Sequence, residues 1–77
     1  MQSNNATIRL ETIRKRLVEE IKLSKLTKTE IAKRVGIATT LLSQYEHKNK
    51  MPSLETFARI CEVIGCDANY VLGLTNN

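Results

Sequence analysis

With 77 residues, 42% of them hydrophobic and 4% aromatic, the chain has room for one domain with a modest core, since a chain of this size buries about 60% of the surface its unfolded form exposes. Two cysteines and one histidine fall short of a four-ligand zinc set, and no apolar run approaches the roughly 20 residues of a membrane span, so no metal, no cofactor and no bilayer anchor is expected. The charge is uneven: residues 1–50 hold eleven Lys/Arg against five Glu (+6), and residues 51–77 hold one Arg against three acids (−2), which turns one half of a small surface toward polyanions.

The start, Met1-Gln2-Ser3-Asn4-Asn5, is polar and has no apolar stretch behind it of the kind a signal peptide carries, so a cytoplasmic protein with a flexible arm over residues 1–6 is expected. Leu10, Ile13, Leu17 and Ile21 then recur at i, i+3, i+7 and i+11 with Val18 alongside, one apolar stripe of a long helix over about residues 7–23. The Glu19-Glu20 pair falls outside that stripe and reads as a solvated face. Ser24-Lys25 ends it. Thr27-Lys28-Thr29-Glu30 is a capping box that opens a second helix, with Leu26 poised to pack on Ile31 and Gly36 closing the far end. A third helix follows almost at once, from about Thr39 to His47. Leu42 and Tyr45 face one way, whereas Thr40, Ser43, Gln44 and His47 share another side.

The loop from Lys48 to Pro52 leads to Ser53, the expected cap of a fourth helix whose apolar face is Leu54, Phe57, Ala58, Cys61 and Ile64, stopped by Gly65. Cys61 sits among apolar residues as a core side chain, and Cys66 lies at the helix end. A disulfide between them is possible, with reduced thiols the preferred expectation. Asp67 caps a last short helix, Ala68–Leu72, closed by Gly73. The fold class is all-α: a compact five-helix domain over residues 7–74 with a frayed tail at 75–77.

Two short helices joined by a glycine turn form the unit that can push one helix into a DNA major groove. Helix crossing at close range asks for a small residue at Ala32, a permissive one at Gly36, and apolar ones at Ile31, Val35, Ile37, Leu42 and Tyr45. All are present within residues 28–47. The stretch LTKTEIAKRVGIATTLLSQYEHKNKMPSLETFARICEVIGCDANYVLGLT resembles the Cro/C1-type helix-turn-helix repressors, the xenobiotic-response-element family, over about residues 8–75. That resemblance implies a lambda-repressor-like fold and a sequence-specific, double-stranded-DNA-binding transcriptional regulator, a repressor. It also implies a homodimer on an operator with two-fold symmetry.

Carried over position by position, Thr39, Thr40, Ser43 and Gln44 contact bases, with Gln44 favoured because its amide can pair with adenine N6 and N7. Lys28 stands where the family clamps a phosphate with Gln. Lys48, Asn49 and Lys50 form the phosphate-contacting loop, relying on lysine where the family has a tight glycine turn. Ala38 stands at the usual Ser/Thr cap of the third helix, so either Thr39 takes over the cap or that end is looser. The arginine that pairs with Glu46 is Arg14 or Arg16. Tyr70, Val71 and Leu74 are the expected dimer contacts. No acid or serine is placed to make His47 a catalyst, and no enzyme activity is expected. The alternative from another class is an antitoxin-like or adaptor module whose main partner is a protein, which a large exposed apolar patch outside the dimer surface would favour.

Overall fold

Leu17 and Ile21, one turn apart on the first helix, are both buried and form one wall of the core. The computed structural model describes residues 2–75, with side chains described from Leu10 onward. Its elements are α1 (Gln2–Leu23), α2 (Lys28–Val35), α3 (Thr39–His47), α4 (Leu54–Ile64) and α5 (Ala68–Leu72), with no strand among the described residues. Helix α1 packs against α5 and α3, while α2 packs against α4 and α3. The core between them is Leu17, Ile21, Ile31, Ala32, Val35, Leu42, Tyr45, Phe57, Ile60, Cys61 and Val71, each closed off from solvent. Full burial of one such aliphatic side chain is worth about 1.5–3 kcal/mol, so these few residues supply much of the stability of a small domain. No helix among the described residues is long and apolar enough to cross a membrane.

Punctuation residues set the element ends. Ser53 opens α4 by accepting the Thr56 amide at 3.1 Å, and Asp67 opens α5 by accepting the Asn69 amide at 2.9 Å. Gly65 and Gly73 close the same two helices in the left-handed conformation.

One expectation about a boundary and two about faces are corrected. Helix α1 begins at Gln2, ahead of residue 7, because an apolar stripe marks only the part of a helix that packs, whereas its backbone hydrogen bonds need no buried face. Met1, Asn76 and Asn77 lie outside the described residues. Leu10, the first member of the stripe, is 59% exposed; it lies one turn beyond Ile13, the first stripe residue that packs on the core. On α4 the buried residues are Phe57, Ile60 and Cys61, while Leu54 and Ala58 face solvent. The true stripe runs i, i+3, i+4 from Phe57. Leu54 sits in the first turn at the rim, and Ala58 is a quarter-turn off the line.

Candidate nucleic-acid interface

The turn between α2 and α3 is built from both ends inward. At the start of α2, the Glu30 amide donates to the Thr27 hydroxyl at 3.1 Å and the Thr27 amide donates to the Glu30 carboxylate at 3.0 Å, the complete capping box. Those bonds from Thr27 hold the Glu30 carboxyl below its ordinary range. At the far end Gly36 takes φ +89°, and its amide and that of Ile37 both donate to the Ala32 carbonyl, at 2.8 and 3.0 Å. A Cβ on Gly36 would approach nothing closer than the Arg59 guanidinium at 4.0 Å, so the requirement here is conformational and not steric. Arg59 donates to the Val35 carbonyl at 3.4 Å, which ties α4 to the end of α2. Ala32 is buried at the crossing, with Leu42 and Tyr45 of α3 in the same cluster.

Helix α3 is held differently. Ala38 occupies the cap position with extended backbone and no side-chain hydrogen bond, so Thr39 does not take over the cap and the looser end is the one that forms. At the other end the Lys48 and Lys50 amides both donate to the Gln44 carbonyl, at 2.9 and 3.3 Å. Asn49 adopts φ +56°, the one left-handed residue other than glycine among those described. Asparagine tolerates that region, so the loop keeps a glycine-like turn without the glycine. Arg14 reaches across from α1 and donates to the Tyr45 carbonyl at 3.1 Å and the Glu46 carbonyl at 3.5 Å, capping the negative end of α3.

The outward face of α3 carries the four residues expected to contact bases. Thr39 and Thr40 are exposed and Ser43 and Gln44 half-exposed. Lys48, Asn49 and Lys50 follow on the same loop and are all exposed. Lys28 is brought to α3 as well, but its ammonium lies 3.3 Å from the Glu46 carboxylate. Glu46 also pairs with Lys22 at 2.5 Å and has His47 at 3.5 Å. The lysines, Lys22 first and then Lys28, hold its carboxyl below the ordinary range. Neither arginine pairs with Glu46. Arg14 bonds the backbone beside it, and Arg16 donates to the Tyr70 carbonyl at 2.6 Å with its guanidinium 4.4 Å from the centre of the Tyr70 ring. Lys22 was not singled out in sequence, since nothing local marks a partner contributed by a different helix.

The three residues expected at a dimer contact separate. Leu74 is 66% exposed, Tyr70 is half-buried beneath Arg16, and Val71 is fully buried. Val71 is a core residue with no exposed surface. It faces inward because α5 packs on α1 and must contribute something to the core.

The profile of the family described as helix-turn-helix matches residues 17–71, a span that holds the α2–turn–α3 unit. This chain belongs to the Cro/C1-type helix-turn-helix family. An uncharacterized HTH-type transcriptional regulator of Bacillus subtilis (strain 168), YobD, is 32% identical over 62 residues, covering 80% of this chain and 55% of the relative. The helix-turn-helix chain thus spans little more than half the length of that protein. No solved structure gives a significant match.

Proposed function

We propose that this helix-turn-helix chain is a cytoplasmic, sequence-specific regulator of transcription, a repressor, that binds double-stranded DNA as a homodimer and reads the major groove with α3. Membership of the helix-turn-helix family supports DNA binding in transcriptional regulation. One observation carries the finer reading: Thr39, Thr40, Ser43 and Gln44 stand on the solvent side of a helix whose opposite side is locked into the core. Beside them Lys48 and Lys50 have no ion pair among the described residues. Hydroxyls and an amide can read base edges, and unpaired lysines can neutralise phosphates. Lys28 is the weaker clamp, because a phosphate must compete with Glu46 for it. Leu74 and Tyr70 remain the proposed dimer contacts, with Val71 removed from the set.

Selection of bound sites from random duplex DNA tests the reading. The expected product is an inverted repeat with half-site centres about 34 Å apart. Gln44→Ala should lose about 1–3 kcal/mol on that site and flatten preference at one base pair per half-site. Lys48→Ala should weaken selected and random DNA alike, and Lys28→Ala should do so less. A dimer touching roughly 8 phosphates gives a log–log salt slope near −7. Unchanged ranking of sequences by Gln44→Ala would move readout to Thr39, Thr40 or Ser43.

A second reading, an antitoxin-like or adaptor module, is favoured by one feature. Ile13, Met51, Pro52, Leu54, Phe57 and Leu72 line an open groove of ≈ 260 Å³, at whose edge Leu54 is 81% exposed. Exposed apolar surface of this kind marks protein contacts. If selection enriched no sequence, this reading would take precedence.

A further inference from the structure

The corner between α4 and α5 holds the two cysteines, and neither contributes to the proposed DNA-binding face. Gly65 turns the chain at φ +71°. The amides of Gly65 and Cys66 both donate to the Cys61 carbonyl, at 2.8 and 3.2 Å. This six-residue closure folds the residue after the glycine back onto the last turn of the helix, where an apolar pair ordinarily meets. Here both members carry sulfur. Cys61 is 8% exposed within the core, and Cys66 packs half-buried against that same core from the other side of the glycine corner. No disulfide joins them, and among the described residues no group of three or more His, Cys, Asp and Glu converges to complete a larger ligand set.

We infer that Cys61 and Cys66 form a dithiol site that binds one trivalent arsenical through both sulfurs. The chemistry of the pair selects among thiophilic partners. Burial is the main cause raising both thiols, and the Cys61 thiol and the Glu20 carboxylate push Cys66 further, to about 12. The pair is therefore protonated at neutral pH, which slows every reaction that begins from a thiolate, peroxide oxidation included. Cation coordination also requires the protons to leave. An organoarsenous acid, R–As(OH)₂, removes them itself. Two S–H and two As–O bonds break, two As–S bonds form, and the protons depart with the hydroxides as two waters. Arsenic stays trivalent, sulfur keeps its oxidation state, and no oxidant is needed. The organic group fills the third position on arsenic, which suits a site with two protein ligands and no third.

The probe is phenylarsine oxide, which hydrates to such an acid, added to the folded chain in the presence of excess glutathione. Native mass spectrometry should show one arsenical per chain, retained against the monothiol and released by 2,3-dimercaptopropanol, with a raised thermal midpoint. Cys66→Ser, at a half-buried position, should keep the helical circular dichroism and hold the probe at least about 100-fold less tightly, because the second bond forms intramolecularly. Cys61→Ala should show the same loss from the other sulfur. Equal retention by either single-cysteine variant, two arsenicals per wild-type chain, or labelling only in urea would each overturn the site.

Discussion

Helices α2 and α3 are neighbours of almost equal length, eight and nine residues, yet they are secured by different means. Helix α2 is closed locally: a reciprocal cap at Thr27, left-handed Gly36 at the other end, and three buried residues between them. Helix α3 has no side-chain cap at its start and two buried residues, Leu42 and Tyr45. Its far end is stabilised from a distance, by Arg14 of α1 on its carbonyls and by Lys22 and Lys28 on Glu46. Helix α3 leaves one side open to solvent and buries only the other. Local sequence therefore fixes the supporting helix, and tertiary contacts fix the exposed one.

The largest test of that contrast is Tyr45→Ala. Tyr45 is 1% exposed, and removing a buried aromatic costs about 3–5 kcal/mol. Urea unfolding should show the loss, and amide exchange should rise in α3 before α2. Arg14→Met keeps the aliphatic stem but leaves the carbonyls of Tyr45 and Glu46 without their charged donor, an expected loss of about 1.5–3 kcal/mol. Exchange confined to residues 47–50 would locate it at the end of α3. Next come the caps. Thr27→Ala should cost about 1 kcal/mol, whereas Ala38→Ser should add about 0.5–1 kcal/mol by giving α3 the cap it lacks. A destabilised Ala38→Ser variant in thermal melts would mean that the start of α3 is already satisfied.

The smallest effect is the pH dependence. Glu30 and Glu46 both have folded-state values below the ordinary 4.5. Between the folded and unfolded values the unfolded chain binds more protons, so each carboxylate stabilises the fold above that window and loses its contribution as pH falls through it. Glu30→Gln and Glu46→Gln should each flatten the acid limb of a stability profile. High salt should flatten the Glu46 part more, because its stabilisation comes from separate cations and not from a neighbouring backbone amide.

The elements were legible wherever a residue both punctuates and needs only near neighbours to do so. Thr27 with Glu30, Gly36, Ser53, Gly65, Asp67 and Gly73 are of that kind, and they set the ends of α2, α4 and α5 as expected. Faces were less legible. Leu54 and Ile60 are equally apolar letters, and only the position of α2 and the rest of the core decides that Ile60 is buried and Leu54 is not. The burial of Val71 was illegible for the same reason: a short terminal helix can be an outer contact or a core plug, and periodicity over five residues does not separate them. Least legible were the long-range contacts made by the arginines of α1. Arg14 meets the Glu46 carbonyl across 32 residues, and Arg16 meets Tyr70 across 54, separations at which sequence spacing carries no geometric information. The polar face of α3 could be read from the i, i+3, i+4 pattern because α3 is helical throughout.

The Gln44 carbonyl, which receives both the Lys48 and the Lys50 amides, separates two properties that a single residue would otherwise bind together. The backbone of residue 44 anchors the lysine loop, whereas its side chain is free to be something else. Under the proposed base-reading role of Gln44, substituting that side chain leaves the anchor in place, so preference for a base could drift while the basic loop keeps its geometry. On that proposal a lineage of such proteins would acquire new target sites one side chain at a time, each intermediate keeping the same basic loop.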